Sequence, residues 1–187
     1  MNDAGARTRR SAEGRNRSIR ILNPNGHLGF APIKTGSFHN GLKGSPDLVA
    51  ADAGSNDIGP VPLATNVACS PLEWQTHDLR EMLLAARVKG VPMIVGSAGD
   101  TGANDRVDEF VKIIKDIAKE QGLGSFKLGY FYSEVDADTV RTKMRAGEVI
   151  EGLDERPALT EDEPPPTASS PWPACIPISS SWTGAPR

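Results

Sequence analysis

Apolar residues in this chain gather into four short runs, separated by stretches in which they recur every three or four positions. The runs are Ser18 to Leu22, Asp47 to Asp52, Val91 to Gly96 and Phe126 to Ser133. The second and third are apolar at nearly every position, the pattern of strands covered on both faces. The intervening stretches have helical spacing. From His77 to Lys89, Leu79, Met82, Leu83 and Ala86 fall on one side, and the run stops at Gly90 with Pro92 just beyond. From Asp105 to Gln121 the stripe is Val107, Phe110, Val111, Ile113, Ile114, Ile117 and Ala118, closed by Gly122. Asp136 to Ala146 spaces Val140 and Met144 by four and ends at Gly147, and a shorter helix at Ser37 to Leu42 links the first two strands. Strand and helix alternate four times. Short right-handed connections then predict an α/β fold, a parallel β-sheet flanked by helices on both faces in a three-layer, Rossmann-like arrangement.

The alternation ends abruptly. Thr160, Glu161, Asp162 and Glu163 have the form of a capping box, with Thr160 as cap and Glu163 three residues on. Pro164, Pro165 and Pro166 follow and abort that helix. The expected organisation is a disordered Arg-rich arm over 1–17, a partial α/β domain over 18–163 and a disordered Pro/Ser-rich tail over 164–187. Read one frame over, the codons for Ser170 to Pro177 permit an apolar, helix-compatible sequence. We therefore read the tail as frame-shifted or mis-spliced rather than as a low-complexity segment.

Composition narrows the class without naming a function. With 187 residues there is room for one core, and the net charge is −3. Apolar runs such as Val91 to Val95 are far too short to cross a bilayer. Six arginines stand in the first twenty residues. They fit a nucleic-acid arm, a presequence or a loose extension; Asp3 and Glu13 sit badly in a presequence, and the acidic remainder favours the extension. No nucleic-acid or membrane partner is expected, and homo-oligomerisation is left open. Cys69 and Cys175 have neither zinc spacing nor a secretory context, which makes the cytoplasm the expected compartment.

In open parallel sheets ligands bind beyond the carboxyl ends of the strands. Here each such end carries a polar, glycine-rich loop. The first is Asn23 to Gly29, the second Asp52 to Pro60, the third Gly96 to Gly102, and the fourth holds Ser133, Glu134 and Asp136. Asp52 and Asp57 are candidates for acid/base chemistry or for a divalent cation, though each also suits a strand end or a turn. His27, in a Gly-flanked loop, and Glu134, just past a strand, are further catalytic candidates. Asn25, Gly26, Gly54, Ser55, Ser97, Gly99 and Gly102 are the candidate ligand-binding residues, because glycines admit close backbone approach and their amides can face anionic oxygens. The third loop matches neither the Walker lysine pattern nor dinucleotide spacing, and a simple strand-to-helix turn also accounts for it. The convergence of all four loops favours a small-molecule site. A metal or other cofactor is not identified.

The same segments carry a resemblance. Ile19 to Phe30 (I-R-I-L-N-P-N-G-H-L-G-F), Pro46 to Pro60 (P-D-L-V-A-A-D-A-G-S-N-D-I-G-P), Val95 to Ala103 (V-G-S-A-G-D-T-G-A) and Tyr132 to Asp136 (Y-S-E-V-D) together resemble the acyclic terpene utilisation family, in order and across Ser18 to Glu163. Two departures stand out: Asp100 where a small residue is expected after G-S-A-G, and Pro60 to Ala64 where a tyrosine-rich segment is expected. The resemblance implies a catabolic protein of terpenoid or branched acyl compounds, with an acyl-CoA-like or carboxylate ligand, a lyase-like label without an assigned reaction, and members that run well past this length. The alternative is a truncated, non-catalytic fragment that serves only in interaction or assembly.

Overall fold

A computed structural model describes residues 18–54, 62, 65–152 and 157–161, together with the backbone of 180–184. The elements in chain order are β1 (Ile21–Leu22), α1 (Thr35–Leu42), β2 (Leu48–Gly54), α2 (Leu72–Lys89), β3 (Met93–Asp100), α3 (Asn104–Glu120), β4 (Lys127–Tyr130), α4 (Ala137–Arg145) and β5 (Ser180–Gly184). The alternating α/β layout is the one the sequence predicts.

Several bounds differ from the sequence expectation for local reasons. α2 begins at Leu72 rather than near His77, because Pro71 precedes the first turn, where no backbone N–H is missed, and its carbonyl accepts from Trp74 and Gln75. Its far end is as expected: Gly90 adopts φ +67°, the left-handed cap. β3 extends past Gly96 through Ser97, Ala98 and Gly99 to Asp100. α4 starts at Ala137 because Asp136 caps it, its Oδ1 accepting from Thr139 N at 2.8 Å.

The sheet order is β1-β2-β3-β5-β4. β1, β2 and β3 are mutually parallel, and β5 runs antiparallel to both β3 and β4. Ser180–Gly184, which the sequence reading places in a tail outside the fold, is therefore a strand of the sheet, with Ile94 opposite Trp182 and Gly129 opposite the same residue. Residues 1–17, 162–179 and 185–187 lie outside the described residues.

Parallel strands laid down in sequence order, each right-handed crossover stepping to the same side, put successive helices on one face. α1, α2 and α3 obey this rule: α1 packs on α2, and α2 on α3. A bidentate ion pair from Arg80 on α2 to Glu120 at the end of α3, at 2.8 and 2.9 Å, ties the last two together. The core is one cluster: Val49, Ala51 and Ala53 of β2 and Met93 and Val95 of β3 meet Phe38 and Leu42 of α1, Leu79, Met82 and Leu83 of α2, and Phe110, Ile114 and Ile117 of α3. The alternate residues Leu48, Ala50 and Asp52 of β2 and Ile94 and Gly96 of β3 point the other way, and none of them is buried. Where the apolar pattern suggests helices on each side, these three helices share one.

Candidate functional site

The end of β3 is where the parallel ladder breaks. From the Asp52–Gly96 pair to the Gly54–Asp100 pair, β2 advances two residues and β3 four. The extra length is taken up in left-handed backbone: Ser97 has φ +47°, Gly99 +60° and Asp100 +71°. For Ser97 and Asp100 that conformation is strained, and such outliers cluster at functional sites. Gly54 is required opposite, since a Cβ there would lie 2.5 Å from the Ser97 Cβ.

Asp100 closes β3 with a carboxylate that is wholly buried. Its Oδ1 lies 2.9 Å from His27 Nε2 and accepts from Ser70 Oγ at 2.6 Å, and its Oδ2 accepts from Ser70 N at 2.8 Å. Three segments far apart in sequence thus converge on one carboxylate: the β1–α1 loop, the Ser70–Pro71 lead into α2 and the end of β3. A carboxylate can only accept, so the proton of the neutral imidazole sits on Nε2 and the lone pair on Nδ1. His27 is 13% exposed and stacks on Phe30, with ring centroids 5.4 Å apart and planes 13° from parallel.

The loop that presents His27 is held at both ends. Leu28 N donates to the Asp52 carbonyl at 2.9 Å, and Asn25 Oδ1 accepts from His27 N at 3.2 Å while its amide nitrogen reaches the Ala31 carbonyl. A second buried carboxylate, Asp78 on α2, accepts from Gly29 N at 3.0 Å and Ile33 N at 2.8 Å, with His77 Nδ1 3.0 Å away. Gly29 adopts φ +88°, and a Cβ on it would sit 2.4 Å from Gln75 Cγ. Gln75 is fully buried, and neither of its amide atoms meets a protein partner.

The other sequence candidates have distinct placements. Asp52 is exposed, on the face away from α1–α3, and its Oδ1 accepts from Gly54 N at 2.9 Å, a strand-end turn. Gly26 stands in open space. Gly99 lies beneath Arg106, whose Cβ would be 2.9 Å from an added methyl, and Gly102, at φ +67°, donates to the Ala98 carbonyl as the chain turns into α3. Glu134 Oε1 accepts from Asn104 N at 2.6 Å, at the start of α3. Beyond β4, Tyr132 donates its hydroxyl to Asp108, which pushes the phenol pKa up to about 12. Asp57 and Ser55 lie outside the described residues. His27, Asn25 and Asp100 come together; Asp52 and Glu134 are engaged elsewhere.

No family model, curated protein or solved structure matches this chain. Among the described residues no group of three or more His, Cys, Asp or Glu side chains could hold a metal ion, and no helix is long and apolar enough to cross a membrane. A groove of about 440 Å³ lies away from His27, between α1 and α2, and is lined by His39, Leu42, Lys43, Glu81, Leu84 and Val88 among others. It is an open channel between helix surfaces, in which His39 Nε2 lies 3.6 Å from Glu81 Oε2 with the imidazole largely exposed, unlike the buried pair at Asp100.

Sequence reasoning missed Asp100, Ser70 and Asp78. Asp100 registers only as a departure from the G-S-A-G pattern. Ser70 carries the faint signal of a hydroxyl residue before Pro71 at a helix start. Asp78 looks like a solvent-facing helix residue, and nothing local marks it as buried.

Proposed function

We propose that this chain is a catabolic, small-molecule-processing protein of the acyclic terpene utilisation type, with its site at the carboxyl ends of β1, β2 and β3. The observation that carries the proposal is the buried Asp100 carboxylate aligned on His27 Nε2. That arrangement holds the ring in one tautomer and orientation, and leaves Nδ1 as the nitrogen that takes a proton from a bound ligand. Ser70 supplies two donors that hold the Asp100 carboxylate in place. The left-handed run at Ser97, Gly99 and Asp100, with Gly54 packed against it, suits recognition of an anionic group through backbone amides. The ligand class is a carboxylate or an acyl-CoA-like thioester of a branched acyl compound, the class implied by the sequence resemblance. Proton abstraction or donation next to the carbonyl is the step that a lone oriented histidine performs best.

Isothermal titration of the full chain with a branched acyl-CoA, the free branched acid and a nucleotide tests the reading. Binding of one of the first two, weakened about tenfold or more by His27→Ala and by Asp100→Asn, is expected. Silence with every probe, or equal affinity in the His27→Ala variant, rejects it. The second reading, an assembly module, is favoured by a different observation: the sheet face that α1, α2 and α3 leave uncovered.

A further inference from the structure

Of the seven buried side-chain atoms that lack a hydrogen-bond partner among the described residues, four belong to residues around the first turn of α3. They are Asn66 Oδ1, Asn104 Oδ1, Arg106 Nε and Ser133 Oγ. Three separate segments bring them there. Asn66 is tied to that turn through Asp105, its Nδ2 donating to Asp105 Oδ2 at 2.7 Å. Ser133 precedes Glu134, whose Oε1 accepts from Asn104 N at 2.6 Å. A buried polar atom without a partner is costly, so four of them at one place mark a position where a polar group from elsewhere belongs.

Arg106 decides the chemistry. Its Nε is a donor of a permanently charged guanidinium, and a buried cationic donor calls for an anionic acceptor. The ion pair with Glu109 engages Nη1 at 2.9 Å and leaves Nε unused. The stem of the side chain lies across Gly99, where an added Cβ would stand 2.9 Å from Arg106 Cβ and 3.0 Å from its Cδ. Gly99, at φ +60°, thus makes room for the arginine against the β3–α3 turn, one residue from Asp100. A surface ion pair with Glu109 needs neither that glycine nor the burial of Nε. We infer that Arg106 is the anion-holding residue of the site, its Nε donating to an oxyanion of the ligand, a carboxylate or a phosphate group. Ser133 Oγ supplies a second donor, and flipping the Asn104 amide supplies a third. Asn66 Oδ1 remains an acceptor for a hydroxyl or water that comes in with the anion. Glu134 is a like charge beside the ligand and keeps the affinity modest. The inference rests on the proposed reading only for the remainder of the ligand; the anion contact is tested without it.

Proton–nitrogen correlation NMR of the arginine Nε–Hε groups in the full chain reads that contact directly. The chain is titrated with inorganic phosphate and, separately, with isovalerate, at constant ionic strength. Arg106 is expected to shift saturably with at least one of them, with a dissociation constant of about 1 mM. Arg80, closed in its bidentate pair with Glu120, should not move. Saturation with phosphate alone marks a phosphate-bearing ligand; saturation with isovalerate marks a carboxylate. Arg106→Gln should weaken the binding about tenfold or more, and Glu134→Gln should tighten it about threefold. No shift at Arg106, a shift that only grows linearly, or one that Arg80 shares overturns the inference. A branched acid or acyl-CoA that binds in a His27-dependent way and leaves Arg106 unmoved overturns it too, while the proposed function stands. Saturable phosphate binding without any binding of branched acyl compounds does the reverse.

Discussion

Met93 and Ile94 are consecutive residues of one strand with opposite fates. Met93 is fully buried under α2 and α3, and Ile94 stands on the face those helices leave open. Both are apolar and both are paired in the same ladder, so neither propensity nor hydrogen bonding separates them. The path of the chain does. A β1-β2-β3 progression that never reverses direction brings each helix back over the same side, and the two faces of an equally apolar strand become unequal. Helices on both sides call for a reversal in strand order, and β1, β2 and β3 contain none.

The sharpest way to break this comparison is to truncate both residues. Met93→Ala is expected to cost about 2–5 kcal/mol in urea unfolding, because it empties a closed core. Ile94→Ala should cost about half of that or less, since its methyls are partly hydrated before the change. Equal losses would mean that the second face is covered after all. The next largest effect concerns the loop that carries His27. Asp78→Ala orphans the amides of Gly29 and Ile33, at about 1–3 kcal/mol for each donor left buried and unpaired. It should also release the His27 loop, seen as faster amide exchange at Gly29 and Ile33, while Asp52→Ala, on the exposed side, leaves those amides protected. The smallest effect is at α4. The Asp136 carboxyl is held below its usual pKa by the Thr139 hydroxyl and amide. A depressed acid stabilises the fold above its unfolded pKa and loses that contribution as pH falls through the folded value. Protection of the 137–145 amides, relative to their intrinsic exchange at each pH, should therefore fall below roughly pH 3.9. Asp136→Asn, which still caps, should flatten that acid step; an unchanged step in the variant would assign it to another group.

The candidate site was legible in part. His27 could be picked out because a histidine between glycines, outside any apolar stripe, has no packing reason to be there. Asn25 and Gly26 followed from the same loop. Asp100 could not, because its meaning depends on Ser70 and His27, 30 and 73 residues away in sequence. Asp78 and Gln75 were hidden for a related reason. A polar residue on a helix reads as solvent-facing, and only the β1–α1 loop folding back over α2 buries them. The prolines before Ser180–Gly184 make it look like tail, although pairing with β3 and β4 needs only five backbone units of extended chain.

What the sequence by itself determined is the set of elements and their alternation: periodicity two or near-continuous apolar runs for the strands, three-to-four spacing for α2 and α3, and glycine stops at Gly90 and Gly122. These follow from the local fit between side-chain spacing and backbone repeat, so they can be read over a dozen residues. Tertiary structure alone decided that the helices α1–α3 share one face, that β5 enters between β3 and β4, and that Asp100 rather than Asp52 meets His27. Each of those outcomes compares long-range arrangements of the same local pieces. Burial and hydrogen-bond partners, rather than local propensity, select among them.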